Sequence, residues 1–344
     1  MRNRLLWFSA LGFVFLSTTT AWYFASAQDV AGGGSLIRDI TGGAALIFRT
    51  PKNPVVQEVA GGGSIGGSRT GGRHTKPPQQ DPIIARGNAA RSAPKPRYDE
   101  AEQQYQLAAK VAPDDARAFA GLGNVYVDQG RFAEAAIAYQ QAIKLRPDYT
   151  PAYLPLAFSL ARLNRFQEAI DIYKQSLERD PNNAEIYNNL SYSYNHSQRY
   201  QEGVDAAKQS IRLLGDTGEA YTQGFQERKE ILSYAYKNLG NAYAGLLRYS
   251  EAADAFKQAI VIEPTNAAAQ FNLALTLYHA GRYPESIAAY KEVIKLRPNL
   301  AQAHFNLGIT YYAINDKASA MAEVDALKPI DAELAKQLLA AIAQ

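Results

Sequence analysis

The 344-residue chain contains no cysteine. That excludes disulfide bridges, thiolate metal sites, a cysteine nucleophile and lipid attachment through cysteine. Catalytic motifs are missing too. The glycines of "GGGSIGGSR" are not followed by the Gly-Lys-Ser/Thr of a phosphate loop, and no strand precedes them. There is no HExxH, nucleotide fingerprint or nucleophile elbow. Carboxylates are scattered rather than paired, which is the pattern of solvated surface charge. Beyond the N-terminus, no hydrophobic run is long enough to span a bilayer. No enzyme activity and no cofactor are expected.

The formal charge of +3 is unevenly distributed. Residues 28–97 carry ten Lys/Arg against four Asp/Glu, whereas residues 98–344 have a net charge of −5. A basic tail thus precedes an acidic body. Nucleic-acid binding requires a basic face, so it is not expected of this body.

At the N-terminus, Arg2 and Arg4 flank the apolar run "LLWFSALGFVFL", and Ala25-Ser26-Ala27 follows before Gln28. A charged start, a short apolar core and a small-x-small end predict a secretory signal peptide over 1–27, cleaved after Ala27. An exported, periplasmic or secreted protein is then expected. The alternative is an uncleaved anchor from Leu5 to Ala27, since a span needs roughly 20 residues; the polar "STTT" at 17–20 argues against it. Membrane contact is expected only if the segment is retained, or through the basic tail.

Residues 28–97 hold thirteen of the 25 glycines. This composition buries too little apolar surface to offset the entropy of ordering, and predicts a disordered Gly/Pro-rich linker. Leu46, Ile47, Phe48, Val55 and Val56 form an apolar patch within it.

From residue 98 the chain repeats itself. Prolines close apolar, basic runs at Pro113, Pro147, Pro181, Pro264 and Pro298, separated by 34, 34, 83 and 34 residues. Units start near Ala116, Thr150, Ala184, Ser233, Ala267 and Ala301. Position 7 of each unit is leucine (Leu122, Leu156, Leu190, Leu239, Leu273, Leu307), and position 8 is small (Gly123, Ala157, Ser191, Gly240, Ala274, Gly308). Position 17 is aromatic in five units (Phe132, Phe166, Tyr200, Tyr249, Tyr283), and position 20 is small throughout. Positions 4, 7, 8 and 11 share one helix face, and positions 17, 20, 24 and 27 share another. Small residues at 8 and 20 let the two helices approach closely. Gly130, Asn164, Gly281 and Asn315 fall between the helices as left-handed stops. The prolines stop the second helix. Asp148, Asn182, Asn183, Thr265 and the Thr150-Pro151 pair are placed to start the next one.

This pattern resembles the tetratricopeptide repeat (TPR) family, whose unit is a 34-residue helix–turn–helix. The resemblance implies an all-α, right-handed superhelical solenoid of antiparallel helix pairs over 98–344. It would open with a half repeat at 98–115, because the segment before it lacks large residues and contains Pro94 and Pro96. Repeats 116–149, 150–183, 184–217, 233–266, 267–300 and 301–334 would follow, with a capping helix to 344. The irregular interval leaves an insert at 218–232. Gly215 stands where other units have proline, so the insert is predicted to run into the next helix, from about Tyr221 to Leu246.

The resemblance also implies a non-catalytic protein–protein interaction scaffold that binds a peptide or protein in a concave groove lined by first helices. Carried onto this chain, the groove positions are Phe158, Asn189, Tyr192, His196, Lys237, Asn238, Asn241, Phe271, Asn272, Leu275, Tyr278, Phe305, Asn306 and Tyr312. Asparagine amides there can bond an extended backbone while aromatics supply apolar contact. Lys237, Asn241 and Asn272 match part of the carboxylate clamp of chaperone-binding TPR proteins, but Gln302 and Asn306 replace its later basic pair. Alternatives are a membrane-tethered envelope assembly factor and a sugar-polymer binder using the aromatic groove. His196 and His279 occupy position 13 two units apart, on the order of 20 Å at usual helix spacings. Metal ligands must lie within about 2 Å of one ion, so no metal site is expected.

Overall fold

A computed structural model describes residues 82–215 and 225–343. The expected signal segment, the linker up to 81 and the insert residues 218–224 lie outside the described residues. The described residues form two compact units, 82–213 and 214–343, and contain no strand.

The first unit consists of α1 (Pro82–Arg91), α2 (Tyr98–Val111), α3 (Ala116–Asp128), α4 (Phe132–Leu145), a 3-10 turn (Thr150–Ala152), α5 (Tyr153–Arg162), α6 (Phe166–Arg179), α7 (Ala184–His196) and α8 (Tyr200–Gly215), whose last two residues belong to the second unit. The second unit continues with α9 (Phe225–Gly245), α10 (Tyr249–Ile262), α11 (Ala267–His279), α12 (Tyr283–Leu296), α13 (Ala301–Ala313), α14 (Lys317–Leu327) and α15 (Ala332–Ile342). Within each unit, consecutive helices pack in pairs, and the first helices of successive pairs lie against one another.

The pairing has a simple steric basis. The large residue at position 24 lies on the small residue at position 8. A Cβ added to Gly123 would sit 2.6 Å from the Tyr139 ring, and one added to Gly240 would sit 2.7 Å from Phe256. Only a residue without a side chain admits the ring there. Tyr139, Tyr173, Phe256 and Tyr290 are all fully buried.

The turn between paired helices is equally regular. Gly130, Asn164, Gly281 and Asn315 adopt the left-handed conformation, as their residue types suggest, and so do Gln198 and Leu247, whose types do not. The next residue but one opens the second helix. The arginine just before that helix pairs with a glutamate three residues on: Arg131–Glu134, Arg165–Glu168, Arg199–Glu202, Arg248–Glu251 and Arg282–Glu285. Three of these guanidinium groups also stack on the position 11 tyrosine of the first helix, Arg131 on Tyr126 at 4.3 Å, Arg199 on Tyr194 at 4.7 Å and Arg248 on Tyr243 at 4.6 Å. One side chain thus joins the two helices and the turn.

Three first helices are capped by the residue that directly precedes them. Asp115, Asn183 and Asn266 accept backbone N–H bonds from Arg117, Ile186 and Ala269. Asn266, not Thr265, fills this role.

The array does not open with a half repeat. Residues 82–97 belong to the folded body, and α1 is a full partner of α2. A Cβ on Gly87 would lie 2.9 Å from the Tyr105 ring, and Tyr105 Oη donates to Asn88 Oδ1 at 2.5 Å. Gly87-Asn88 therefore plays the role of Gly123-Asn124. The loop to α2 holds Pro94 and Pro96 and is longer than its counterparts, which shifts α1 out of the 34-residue register. The prolines end α1 rather than preclude it. Four cations assigned to the basic tail, Arg86, Arg91, Lys95 and Arg97, accordingly lie in the body. Arg91 is buried and bonds Asp128 of α3 at 2.7 Å.

In the second unit, α9 starts at Phe225, eight residues ahead of Ser233 where the unit register begins. Its extension is tied back by Arg228, whose Nη2 donates to the Leu214 carbonyl at 3.1 Å. At the far end, Ala335, Leu338 and Ile342 of α15 close over Phe305, Ala320, Val324 and Leu327. Asp331 caps α15.

Candidate functional site

In the first unit, α3, α5 and α7 lie side by side and present position 9 and 13 side chains along one face. The residues that open α4 and α6 reach this same face. Phe132 meets Phe158 edge-on, with ring centroids 5.9 Å apart, and the Arg162 guanidinium lies 4.5 Å above the Phe132 ring. One repeat later, Phe166 meets Tyr192 edge-on at 6.2 Å, and the His196 ring stacks on Phe166 at 4.9 Å. His196 also contacts Tyr192 at 4.2 Å. The two clusters follow one rule. A planar polar group at position 13 stacks on the position 17 ring of the preceding unit, with the position 9 aromatic at its edge.

The electrostatics of the strip are simple. Burial pulls the His196 imidazole down to about 4, so this ring is neutral at ordinary pH. Burial pushes the Tyr192 phenol up to about 12, against the pull of Arg162. Arg162 itself is exposed. The strip is thus an aromatic surface bearing a guanidinium, suited to apolar contact and to a carboxylate or carbonyl acceptor.

The second unit repeats the position 13 to position 17 stack once, with Leu275 in place of an aromatic at position 9. His279 stacks on Tyr249 at 5.7 Å. Tyr278 meets His279 and Tyr283 edge-on, each at 5.5 Å. Burial lowers the His279 pKa as well. Among the described residues, no cluster of acidic and histidine side chains could hold a metal ion, and no helix is long and apolar enough to cross a membrane.

Family models for the tetratricopeptide repeat match residues 95–150, 126–191, 233–266 and 255–288, and a TPR repeat model matches 276–315. The chain belongs to the tetratricopeptide repeat family. Among solved structures, a TPR protein from Parabacteroides merdae superposes with a TM-score of 0.55 at 16% identity, covering 76% of this chain and 98% of the other. PilF of Pseudomonas aeruginosa gives 0.51 at 18% identity, over 66% and 98%. The Cut9–Hcn1 hetero-tetramer of APC/C gives 0.53 at 16% identity, over 72% and 48%. No curated protein sequence matches the chain.

The TPR units bring some sequence-picked groove residues together and remove others from reach. His196 lies in the strip, Phe158 and Tyr192 are buried as its floor, and Tyr278 belongs to its counterpart. Asn189 is fully buried and accepts from Asn188 Nδ2 at 3.2 Å. Lys237 and Asn238 are also buried, at 2% and 1% exposure. Burial draws the Lys237 ammonium down to about 8, opposed by Glu263, and the Nζ lies 5.0 Å from the Tyr234 ring. Asn272 Nδ2 donates to Asn241 Oδ1 at 3.0 Å, so these two amides bond each other across α9 and α11. The partial clamp set is therefore engaged within the TPR fold. Phe271 is buried edge-on to Tyr290, 5.6 Å between centroids. Leu275 is half-buried. Phe305 and Tyr312 pack with the C-terminal cluster, and Asn306 is buried, accepting from Gln302 Nε2 at 3.3 Å.

Sequence reasoning missed Phe132, Phe166, Tyr249 and Tyr283 as members of this face, having placed position 17 within the helix pair. It also missed Arg162. The signal was present: position 13 reads Arg162, His196 and His279 wherever the preceding position 17 ring is stacked.

Proposed function

We propose that this TPR protein is a non-catalytic, exported interaction scaffold whose first-helix strip at Phe132, Phe158, Arg162, Phe166, Tyr192 and His196 binds an extended peptide segment of a protein partner. One observation carries the reading. Two like-built aromatic clusters stand one repeat apart, with the Phe132, Phe166 and His196 rings half-buried, Phe158 and Tyr192 buried beneath them, and Arg162 exposed. Adjacent helices are spaced by about 8–10 Å. An extended peptide advances roughly 3.3 Å per residue, so side chains three residues apart match successive clusters. Interaction through protein partners is the general property of TPR arrays, and one structural relative was solved as the Cut9–Hcn1 hetero-tetramer. Export is supported by the charged, apolar and small-residue succession of residues 1–27.

The test is selection of peptides from a random displayed library on the folded protein, followed by affinity measurement with Arg162→Glu, His196→Ser and, as a control, His279→Ser. Selected peptides should lose at least about tenfold in affinity with the first two variants, the scale of one charge-assisted bond. Enriched peptides indifferent to both would sink the assignment. N-terminal sequencing of the mature protein tests export, with a start at Gln28 expected.

A further inference from the structure

His304 of α13 is buried and held at both ring nitrogens. Nδ1 lies 2.7 Å from Glu323 Oε2 on α14, and Nε2 lies 3.0 Å from the Pro298 carbonyl just ahead of α13. A carboxylate and a carbonyl only accept. A protonated ring donates to both. A neutral ring carries one proton, so its other nitrogen points a lone pair at an oxygen. Whichever tautomer forms, one of the two contacts becomes repulsive. The charge on this ring is therefore coupled to the contact between α13 and α14.

That contact also seats the last helix. In the other units a position 24 ring, such as Tyr139 or Phe256, lies on the small residue at position 8. Here position 24 is Val324, which is smaller, and Leu338 of α15 fills the seat on Gly308. A Cβ added to Gly308 would lie 2.5 Å from Leu338 Cδ2 and 3.3 Å from Glu323 Cβ. The stem of Glu323 thus borders the seat of Leu338. If the carboxylate turns away from a neutral ring, that seat is disturbed.

Other charges around α13 are engaged elsewhere or exposed. The helices packed against it are α11, α12, α14 and α15. On α11, His279 stacks on Tyr249. On α12, Lys295 pairs with Glu292, and Lys291 lies 5.8 Å from the Tyr311 ring. On α14, Lys328 pairs with Asp325, and on α15, Lys336 pairs with Glu333. Glu285, Arg297 and Lys317 are exposed or paired at the surface. Glu323 is the charged group that acts on the His304 ring.

We propose that the His304–Glu323 pair is a pH-operated latch for the C-terminal capping helix. With the ring protonated, α15 is held over the end of the array. With the ring neutral, α15 and the end of α14 open while the rest of the unit stays folded. Stability in a repeat array is largely a sum of local terms, so a terminal contact can be lost alone. The bond to Glu323 holds the His304 pKa above the ordinary value. The latch is therefore closed below about pH 6.5 and opens as pH rises through the folded value. Opening uncovers Phe305, Val324 and Leu327, an apolar end that α15 otherwise closes.

Hydrogen exchange of the full chain, read by mass spectrometry at about pH 6 and about pH 9, tests the latch. Exchange in α14 and α15 is taken relative to α10 and α12 at each pH, which cancels the pH dependence of the chemical step. Relative protection of α14 and α15 should fall about tenfold between the two, the scale of one hydrogen bond to a charged group. The His304 imidazole titration, followed by NMR in the unaltered protein, should share its midpoint with that fall. In Glu323→Gln the amide can either accept from the ring or donate to it, so the fall should disappear. A fall of equal size in Glu323→Gln would overturn the latch, and so would one centred away from the His304 midpoint. The midpoint comparison stands even if the variant does not fold. Relative protection unchanged with pH would also overturn it, as would a loss shared equally by α10 and α12, which marks unfolding of the whole unit.

Discussion

Tyr139 Oη donates a 2.7 Å hydrogen bond to Asn124 Oδ1, closing one helix pair at its most buried point. Tyr105 makes the same bond to Asn88 in the preceding pair. In the next pair, position 9 is Phe158, and the Tyr173 hydroxyl is buried with no hydrogen-bond partner among the described residues. The acceptor at position 9 is present in one pair and absent in the next, and the two make opposite predictions.

Replacing Asn124 with leucine leaves the Tyr139 hydroxyl without an acceptor. The expected loss is about 1–3 kcal/mol, and adding Tyr139→Phe should restore much of it. Tyr173→Phe, which removes a hydroxyl already lacking a partner, should be neutral or stabilising. Urea denaturation of the four proteins checks the pattern. A Tyr173→Phe loss as large as that of Asn124→Leu would contradict it.

The opening helix pair is expected to be integral. Arg91→Ala removes a buried guanidinium and leaves Asp128 without that ion pair, at a cost of about 1–3 kcal/mol. A chain starting at Tyr98 should melt several degrees below one starting at Pro82, since it exposes the Tyr105 ring that α1 covers. Equal melting temperatures for the two truncations would return residues 82–97 to the linker.

Leu247 is a leucine in the left-handed conformation, at φ +60°, with 67% of its surface exposed. Equivalent turns place Gly130 and Gly281 there. Leu247→Gly should raise stability by about 0.5–1 kcal/mol, because the left-handed penalty of roughly 1–2 kcal/mol outweighs the greater entropy of a glycine. Gly130→Leu should lower stability by a similar amount. Chemical denaturation midpoints provide the measurement, and a destabilised Leu247→Gly would count against backbone strain at this turn.

His304 is bonded at both ring nitrogens to acceptors, Nδ1 to Glu323 Oε2 at 2.7 Å and Nε2 to the Pro298 carbonyl at 3.0 Å. Only the doubly protonated ring donates both bonds. The bond to Glu323 raises its pKa above the ordinary 6.5, against the lowering effect of burial. The folded state therefore binds this proton more tightly than the unfolded chain does. The stabilisation is fully present below about pH 6.5 and fades as pH rises through the folded value. The melting-temperature gap between wild type and His304→Gln should be largest near pH 6 and shrink by about pH 9. A gap that grows with pH would overturn the assignment.

Much of the fold was legible in local pattern. The period, the alternation of two helix faces, the left-handed stops at Gly130, Asn164, Gly281 and Asn315, and the small residues beneath large rings all follow from side-chain volume and backbone freedom at fixed spacing. The first pair was hidden because the segment before residue 98 lacks large residues and holds Pro94 and Pro96, and the longer loop displaces Gly87-Asn88 from the 34-residue register. The site was legible only in part. Phe158, Tyr192 and His196 were found from position, but position cannot tell a side chain at a surface from one beneath it. Lys237 and Asn238 are polar and fall at groove positions, yet packing within the second unit buries them.

What the sequence determines by itself is the repeating unit, since each helix pair is specified by contacts between residues close in the chain. What the tertiary structure decides is which side chains are shared between units. Phe132 and Phe166 belong by sequence to the second helix of one pair, but their rings support Arg162 and His196 of the next. That assignment depends on how one pair stacks upon another, where the helix-to-helix spacing and the size of the intervening rings set which side chains meet.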